Sequence, residues 1–235
     1  LRALRLKPVG IWAFDGMRIA HSGRRGKMQL PKSRVKIKGM DAGRKEKAMR
    51  FTTERLVLRP WEEADAESLF AYASDPEVGP IAGWPPHQSV EESRSVIRNV
   101  LQAPQCYAIC EKGNDAAIGA IELKLCGHTD MTERSDACEL GYWLGKPFWG
   151  RGYMPEAAAA LMRYAFQTLG METIWCGYYD GNSKSKRVQE KLGFQHHHTC
   201  AETPVPLMHE TRVGHVNVLT KAQWRESNCN AAKDA

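Results

Sequence analysis

The stretch from Cys138 to Gly170 constrains the fold of this chain more than any other. It opens as Cys138-Glu139-Leu140-Gly141-Tyr142-Trp143-Leu144, passes through Gly145-Lys146-Pro147-Phe148-Trp149-Gly150-Arg151-Gly152, and continues as Tyr153-Met154-Pro155-Glu156 into an alanine-rich run ending at Leu169-Gly170. The first part has the apolar and aromatic content of a short strand. The last carries apolar residues at 157, 160, 161, 164 and 165, the spacing of one helical face. Strand, glycine turn and helix must therefore follow one another. Gly150 and Gly152 permit a sharp turn, and Pro155 suits the first helical turn, where its missing N–H has no intrahelical partner. Backbone donors from about Gly150 to Met154 then point outward at the positive end of the helix dipole, which favours a phosphate. The same glycines also suit a tight turn closed by packing, and a lone G-x-G does not separate the two.

Two familiar phosphate loops are excluded. A Rossmann fingerprint needs a third glycine where Pro155 stands, and an acidic residue at the end of the next strand. A Walker loop needs Gly-Lys-Ser/Thr, which the chain lacks.

A content of 43% hydrophobic and 26% charged residues is ordinary for a globular protein with one sizeable core. No run of 18 apolar residues and no secretory leader pattern occurs, so the sequence predicts a cytoplasmic protein. Seven cysteines, without a C-x-x-C pair and mostly inside apolar segments, predict reduced, packed thiols. The net charge of +6 averages two unlike parts. Residues 1–50 hold 15 Lys and Arg against three acids, whereas the remainder holds 18 against 24, so the patterned part is acidic.

Residues 1–48 show no sustained period of 2 or 3.6 and are expected to form a basic extension of low order. They suit an arm that touches RNA or a ribosome, and equally upstream sequence translated ahead of Met49, which directly precedes the first patterned segment. From there the pattern predicts a strand over 52–60, a helix over 62–74, a stiff loop at Gly83-Trp84-Pro85-Pro86 and a second helix from Ser89 to about Gln102. Strands at 105–111 and 116–126 follow, joined by Gly113-Asn114-Asp115. After the organising strand and helix come a strand at 173–179, a helix from Asn182 to Lys191 stopped at Gly193, and strands at 194–200 and 213–220.

The string ELGYWLGKPFWGRGYMPEA, followed about thirty residues later by NSKSKRVQEKLGF, resembles the GNAT superfamily of acetyl-CoA-dependent N-acyltransferases. It looks most like the RimJ/RimL-like branch. The first motif departs from the family's loop by carrying Pro147 at its first position. The resemblance spans roughly residues 51–225. It implies an α/β (α+β) GNAT fold, a mixed, mostly antiparallel twisted sheet of about seven strands flanked by four helices. The expected division is an extension over 1–48, an acetyltransferase domain over 49–225 and a C-terminal tail over 226–235.

The resemblance further implies acetyl-CoA as cosubstrate, held by Tyr142, Trp143, Leu144, Trp149, Gly150, Arg151, Gly152, Tyr153, Met154 and Asn182, and an amine acceptor shaped by Trp84, Pro85 and His87. It implies direct transfer to a small-molecule amine or a protein N-terminus, by a monomer or homodimer. Acyl transfer from a thioester also needs a neutral amine and a proton for the departing thiolate. Many relatives place a tyrosine acid where this chain has Gln189, so the proton role is assigned to Ser185, which also suits an ordinary helix surface. The base is assigned to Glu139, with Glu122 competing; either also suits a plain strand position. Asn182 equally suits a simple helix cap. His196-His197-His198 alternate in direction along a strand and do not form a metal clamp, so no metal is expected. The alternative function is an inactive coenzyme A-binding module whose basic arm docks on RNA.

Overall fold

A computed structural model describes residues 49–231. The basic extension over 1–48 lies outside the described residues. Among the described residues eight strands form one sheet: β1 (Phe51–Thr52), β2 (Leu56–Arg59), β3 (Cys106–Glu111), β4 (Ala117–Lys124), β5 (Ala137–Leu144), β6 (Thr173–Tyr179), β7 (Gln195–Val205) and β8 (Glu210–Thr220). Their spatial order is β1-β2-β3-β4-β5-β6-β8-β7. Among the described residues six α-helices accompany them: α1 (Ala66–Ala73), α2 (Gly79–Ala82), α3 (Val90–Val96), α4 (Tyr153–Gln167), α5 (Ser183–Lys191) and α6 (Lys221–Ala231).

Every neighbouring pair of strands is antiparallel except β5 and β6, which run parallel because α4 crosses over between them. That pair is short. It holds only from Ala137 opposite Thr173 to Glu139 opposite Trp175. Beyond it the C-terminal halves of β5 and β6 separate and open the sheet at its centre.

Helix α4 covers one face, burying Met154, Ala157, Ala158, Leu161, Met162, Ala165 and Phe166. The small alanines let its axis come close to the sheet, and the buried stripe is rotated slightly from the 157/160/161/164/165 face expected from spacing. The other face is covered by α1 and α3, which pack with Trp61, Trp84 and Trp143 in a second apolar cluster. Within it Arg59 of β2 forms a buried pair with Asp65, 2.6 Å apart, tying the first strand to the start of α1. Helix α3 continues as a wider π-helical turn over Ile97–Leu101.

The sequence expectation of seven strands and four helices is extended by named pieces. Thr53 turns the predicted first strand back through its hydroxyl, bonded to Leu56 N and O, and so creates β1 and β2. Helix α2 is a single turn immediately before the stiff loop, capped by that loop's first residue, Gly83, at φ 97°. Helix α6 crosses the expected 225/226 boundary and packs Trp224 against Phe166 at 5.2 Å. Strands β7 and β8 are longer than their apolar cores, because their ends pair through polar residues.

Candidate active site

Where β5 and β6 part, a cavity of about 1040 Å³ opens between the start of α4, α5 and the α2 turn. Its walls include Tyr142, Trp143, Leu144, Trp149, Gly150, Gly152, Tyr153, Met154, Asn182 and Ser185. Ten residues named from sequence thus meet at one site. Arg151 does not line it; its carbonyl accepts from Arg55 Nη1 at 3.0 Å and its guanidinium lies over the Phe148 ring.

The turn into α4 is set by left-handed glycines, Gly150 at φ 75° and Gly152 at φ 77°. A side chain is disfavoured in that region, and Gly150, Gly152, Tyr153 and Met154 line the cavity at the start of α4, where the first N–H groups of a helix have no intrahelical partner. The back of the turn is anchored. Glu156, in the first turn of α4, accepts from Thr53 Oγ1 at 2.6 Å, Arg55 N at 2.8 Å and Arg55 Nε at 2.7 Å. Burial pushes the Glu156 carboxyl up, but these donors outweigh it and hold it below the usual range. Arg55 also lies over the Tyr153 ring at 4.7 Å. Lys184, Arg187, Lys191 and Arg212 line the cavity against the acidic Glu77 and Asp180, an excess of positive charge suited to a polyanion.

Asn182 caps α5 by accepting from Ser185 N at 3.1 Å while also lining the cavity. Ser185 is buried, not on the outer face of α5, and its Oγ lies 3.0 Å from the Tyr142 hydroxyl.

The expected base, Glu139, is not at the cavity. It is 2% exposed, with Oε1 taken by Lys124 Nζ at 3.1 Å and Oε2 by Thr129 Oγ1 at 2.6 Å. Strand alternation explains this: Cys138, Leu140 and Tyr142 face α4, so Glu139 faces the other way. Glu122 differs. It lines a small gap with Gly141, Tyr142 and Trp143, two of which also wall the large cavity. Its Oε1 has no hydrogen-bond partner and stands 3.8 Å from Lys124 Nζ. Burial pushes its carboxyl above the usual range, with Lys124 opposing.

Trp84, Pro85 and His87 do not line the large cavity. Trp84 packs its ring 5.8 Å from Trp143 on the opposite side, Pro85 is exposed, and His87 Nδ1 lies 2.8 Å from Ser93 Oγ. The buried Lys124 between two carboxylates escaped sequence reasoning, although a lysine at the end of an apolar strand was a visible signal. The Arg55–Glu156 anchor left no such signal, since its partners lie about a hundred positions apart. Among the described residues no group of three or more His, Cys, Asp or Glu side chains is placed to hold a metal ion.

A central sheet opened beside a helix N-terminus, with a cavity between them and basic residues along its lining, is a site that can take a bulky anionic ligand. A model of the Acetyltransferase (GNAT) domain matches residues 55–195, and the chain belongs to that family of N-acetyltransferases. Relatives include the N-acetyltransferase p20 of Bacillus licheniformis, 33% identical over 61% of this chain and 80% of p20. The [Ribosomal protein uS5]-alanine N-acetyltransferase of Escherichia coli is 37% identical over 63% of this chain and 78% of its own. Among solved structures, a GNAT acetyltransferase from Bacillus anthracis superposes with a TM-score of 0.64 at 22% identity, covering 74% of this chain and 99% of that one. Mycobacterium smegmatis RimJ in complex with CoA-disulfide gives 0.58 at 18%, covering 72% and 83%. The latter two bear on the fold. The chain is therefore an acyltransferase that acts on an amine, and its family uses acetyl-CoA.

Proposed function

We propose that the protein moves acetyl directly from acetyl-CoA to a primary amine within a ternary complex, and that the acceptor is the N-terminal amine of a protein. The observation that carries the proposal is the helix start at Gly150–Met154 opening onto the cavity at the parted strands. Amides there take the diphosphate, the basic rim takes the remaining charge, and the pantetheine arm runs between β5 and β6 towards Tyr142 and Ser185. Ser185 serves the departing sulfur. Glu122 takes the proton of the ammonium, reached by way of Tyr142 and Trp143, since its carboxyl is raised by burial and its Oε1 holds no hydrogen bond, whereas Glu139 serves to hold Lys124.

Direct transfer fits the thiols. Burial pushes the Cys110 thiol up to about 11 and the Cys138 thiol up to about 12, which disfavours an acyl-cysteine intermediate. The ribosomal-protein relative favours a protein N-terminus as acceptor, and the acidic balance of residues 51–235 suits a basic partner. A cytoplasmic location belongs to the same proposal; among the described residues no helix is long and apolar enough to cross a membrane. The test is calorimetry with acetyl-CoA, followed by thiol release against a panel of peptides with free N-termini, polyamines and amino acids. Uptake with turnover on peptides supports the proposal; turnover confined to small amines replaces the acceptor, and no uptake overturns it.

A further inference from the structure

Three charged side chains share one face of the sheet beside its central opening. Glu122 and Lys124 lie two apart on β4 and so point the same way, and the register sets Glu139 of β5 directly opposite Lys124. Opposite Glu122 stands Gly141, which offers no side chain. The ammonium is therefore divided unequally. It lies 3.1 Å from Glu139 Oε1, a hydrogen bond, and 3.8 Å from Glu122 Oε1, which is too long for one. Thr129, in the loop between β4 and β5, donates to Glu139 Oε2 at 2.6 Å and accepts from Met131 N at 3.0 Å, so the loop fixes the carboxylate that holds the lysine.

The other groups around Glu122 carry no charge. Cys106 of β3 stands directly across from it, and burial pushes that thiol well above its ordinary value, so it stays neutral. Tyr142, Trp143 and the apolar Leu101 also border the gap. Asp130 of the loop adds to the negative charge that keeps Lys124 protonated.

We propose that Glu139 is a positioning residue for the base: with Thr129 it holds Lys124 to its own side of the strand pair, so that Glu122 Oε1 stays without a hydrogen bond and can receive the acceptor's proton. This rests on Glu122 being the base, as read above. In the step it serves, an N–H bond of the acceptor ammonium breaks, the electron pair stays on nitrogen, the proton goes to Glu122, and the neutral amine attacks. A lysine bonded to Glu122 would hold it ionised and occupy the oxygen; with no lysine near, burial would keep the carboxyl protonated to higher pH. A cation held close to Glu122 but bonded elsewhere lies between these extremes. The balance agrees: burial raises the Glu122 carboxyl, Lys124 opposes, and Glu139 raises it further.

Two variants give opposite signs. Glu139→Gln removes the repulsion and releases Lys124 towards Glu122, which is then expected to ionise about one pH unit lower than in the parent. Adding Lys124→Met removes the cation as well, and Glu122, left to burial, is expected to ionise about one pH unit above the parent. Two quantities are read on the full chain. One is the carboxyl carbon resonance of Glu122 against pH, assigned by its loss in Glu122→Gln. The other is the acid limb of kcat with acetyl-CoA and the best acceptor of the panel, which should move with the resonance, about tenfold in kcat per pH unit on its slope. A purely structural role for Glu139 would lower stability and move neither.

A Glu122 resonance that titrates within about 0.3 pH units of the parent in both variants, or moves the same way in both, would overturn the positioning role while leaving the base in place. A limb that stays while the resonance moves, or that survives Glu122→Gln, removes the base and the positioning role with it. Should Glu139→Gln unfold, the double variant, which leaves no buried lysine unpaired, decides alone by rising or standing still.

Discussion

Lys124 of β4 places its ammonium 3.1 Å from Glu139 of β5, directly across the strand pair, with both side chains withdrawn from water. Burial alone would pull the lysine down, yet Glu139 and Glu122 together raise it, so it stays charged. Losing Glu139 leaves the buried ammonium only the more distant Glu122, 3.8 Å away, to balance it. Glu139→Gln is therefore expected to cost about 3 kcal/mol in denaturant unfolding while acetyl-CoA affinity is retained. A loss of turnover without loss of stability would return the base role to Glu139.

Glu122 sets the pH behaviour. Its carboxyl is raised in the folded state, so the folded protein holds this proton to higher pH than the unfolded chain does. The associated stability is present at acid pH and is lost as pH rises from the unfolded carboxylate value, about 4.3, through the folded one. Turnover moves in the opposite sense, rising as Glu122 ionises, with an acid limb displaced above the ordinary carboxylate range. Glu122→Gln is expected to lower kcat by about a hundredfold, remove that limb, and flatten the stability change; a limb that survives the substitution assigns the base elsewhere.

His87 gives the reverse slope. Burial lowers its imidazole, with Glu92 opposing, so the unfolded chain takes up this proton first on acidification. Stability from this group is complete above about 6.5 and is lost as pH falls towards the folded value. Thermal melts of the parent and of His87→Asn should diverge below that pH and run parallel above it.

Gly119 is held by its neighbour. A Cβ there would stand 2.5 Å from the Trp143 carbonyl oxygen, which is backbone and cannot swing aside. Gly119→Ala is expected to cost about 2 kcal/mol or more and to weaken acetyl-CoA binding, because Trp143 and Leu144 wall the cavity. Gly113→Ala, whose Cβ meets nothing but whose φ is +83°, should cost only about 1 kcal/mol and leave binding unchanged.

The order of strands and helices was legible because each long element carries its own period and its own stop. The stretch from Cys138 to Glu156 and the Asn182 cap were legible because glycines and a capping side chain act locally. The surroundings of Glu139 were hidden for the opposite reason. Its partner Lys124 lies on another strand, and only the register opposing those two residues shows that the carboxylate is occupied. The link from Tyr142 to Ser185 and on through Gln189 to Asn217 was equally hidden, since β5, α5 and β8 meet only after the sheet has opened. Helix α2 was missed because a one-turn helix ending at Gly83 has no period to display.

The proposed transfer requires main-chain amides at the start of α4 to receive a diphosphate. A crystal structure of the full chain grown with coenzyme A tests this most directly. It should show diphosphate oxygens within hydrogen-bond distance of the amide nitrogens between Gly150 and Met154, and the sulfur beside Ser185. A diphosphate bound elsewhere, with that turn left bare or filled by side chains, would contradict it.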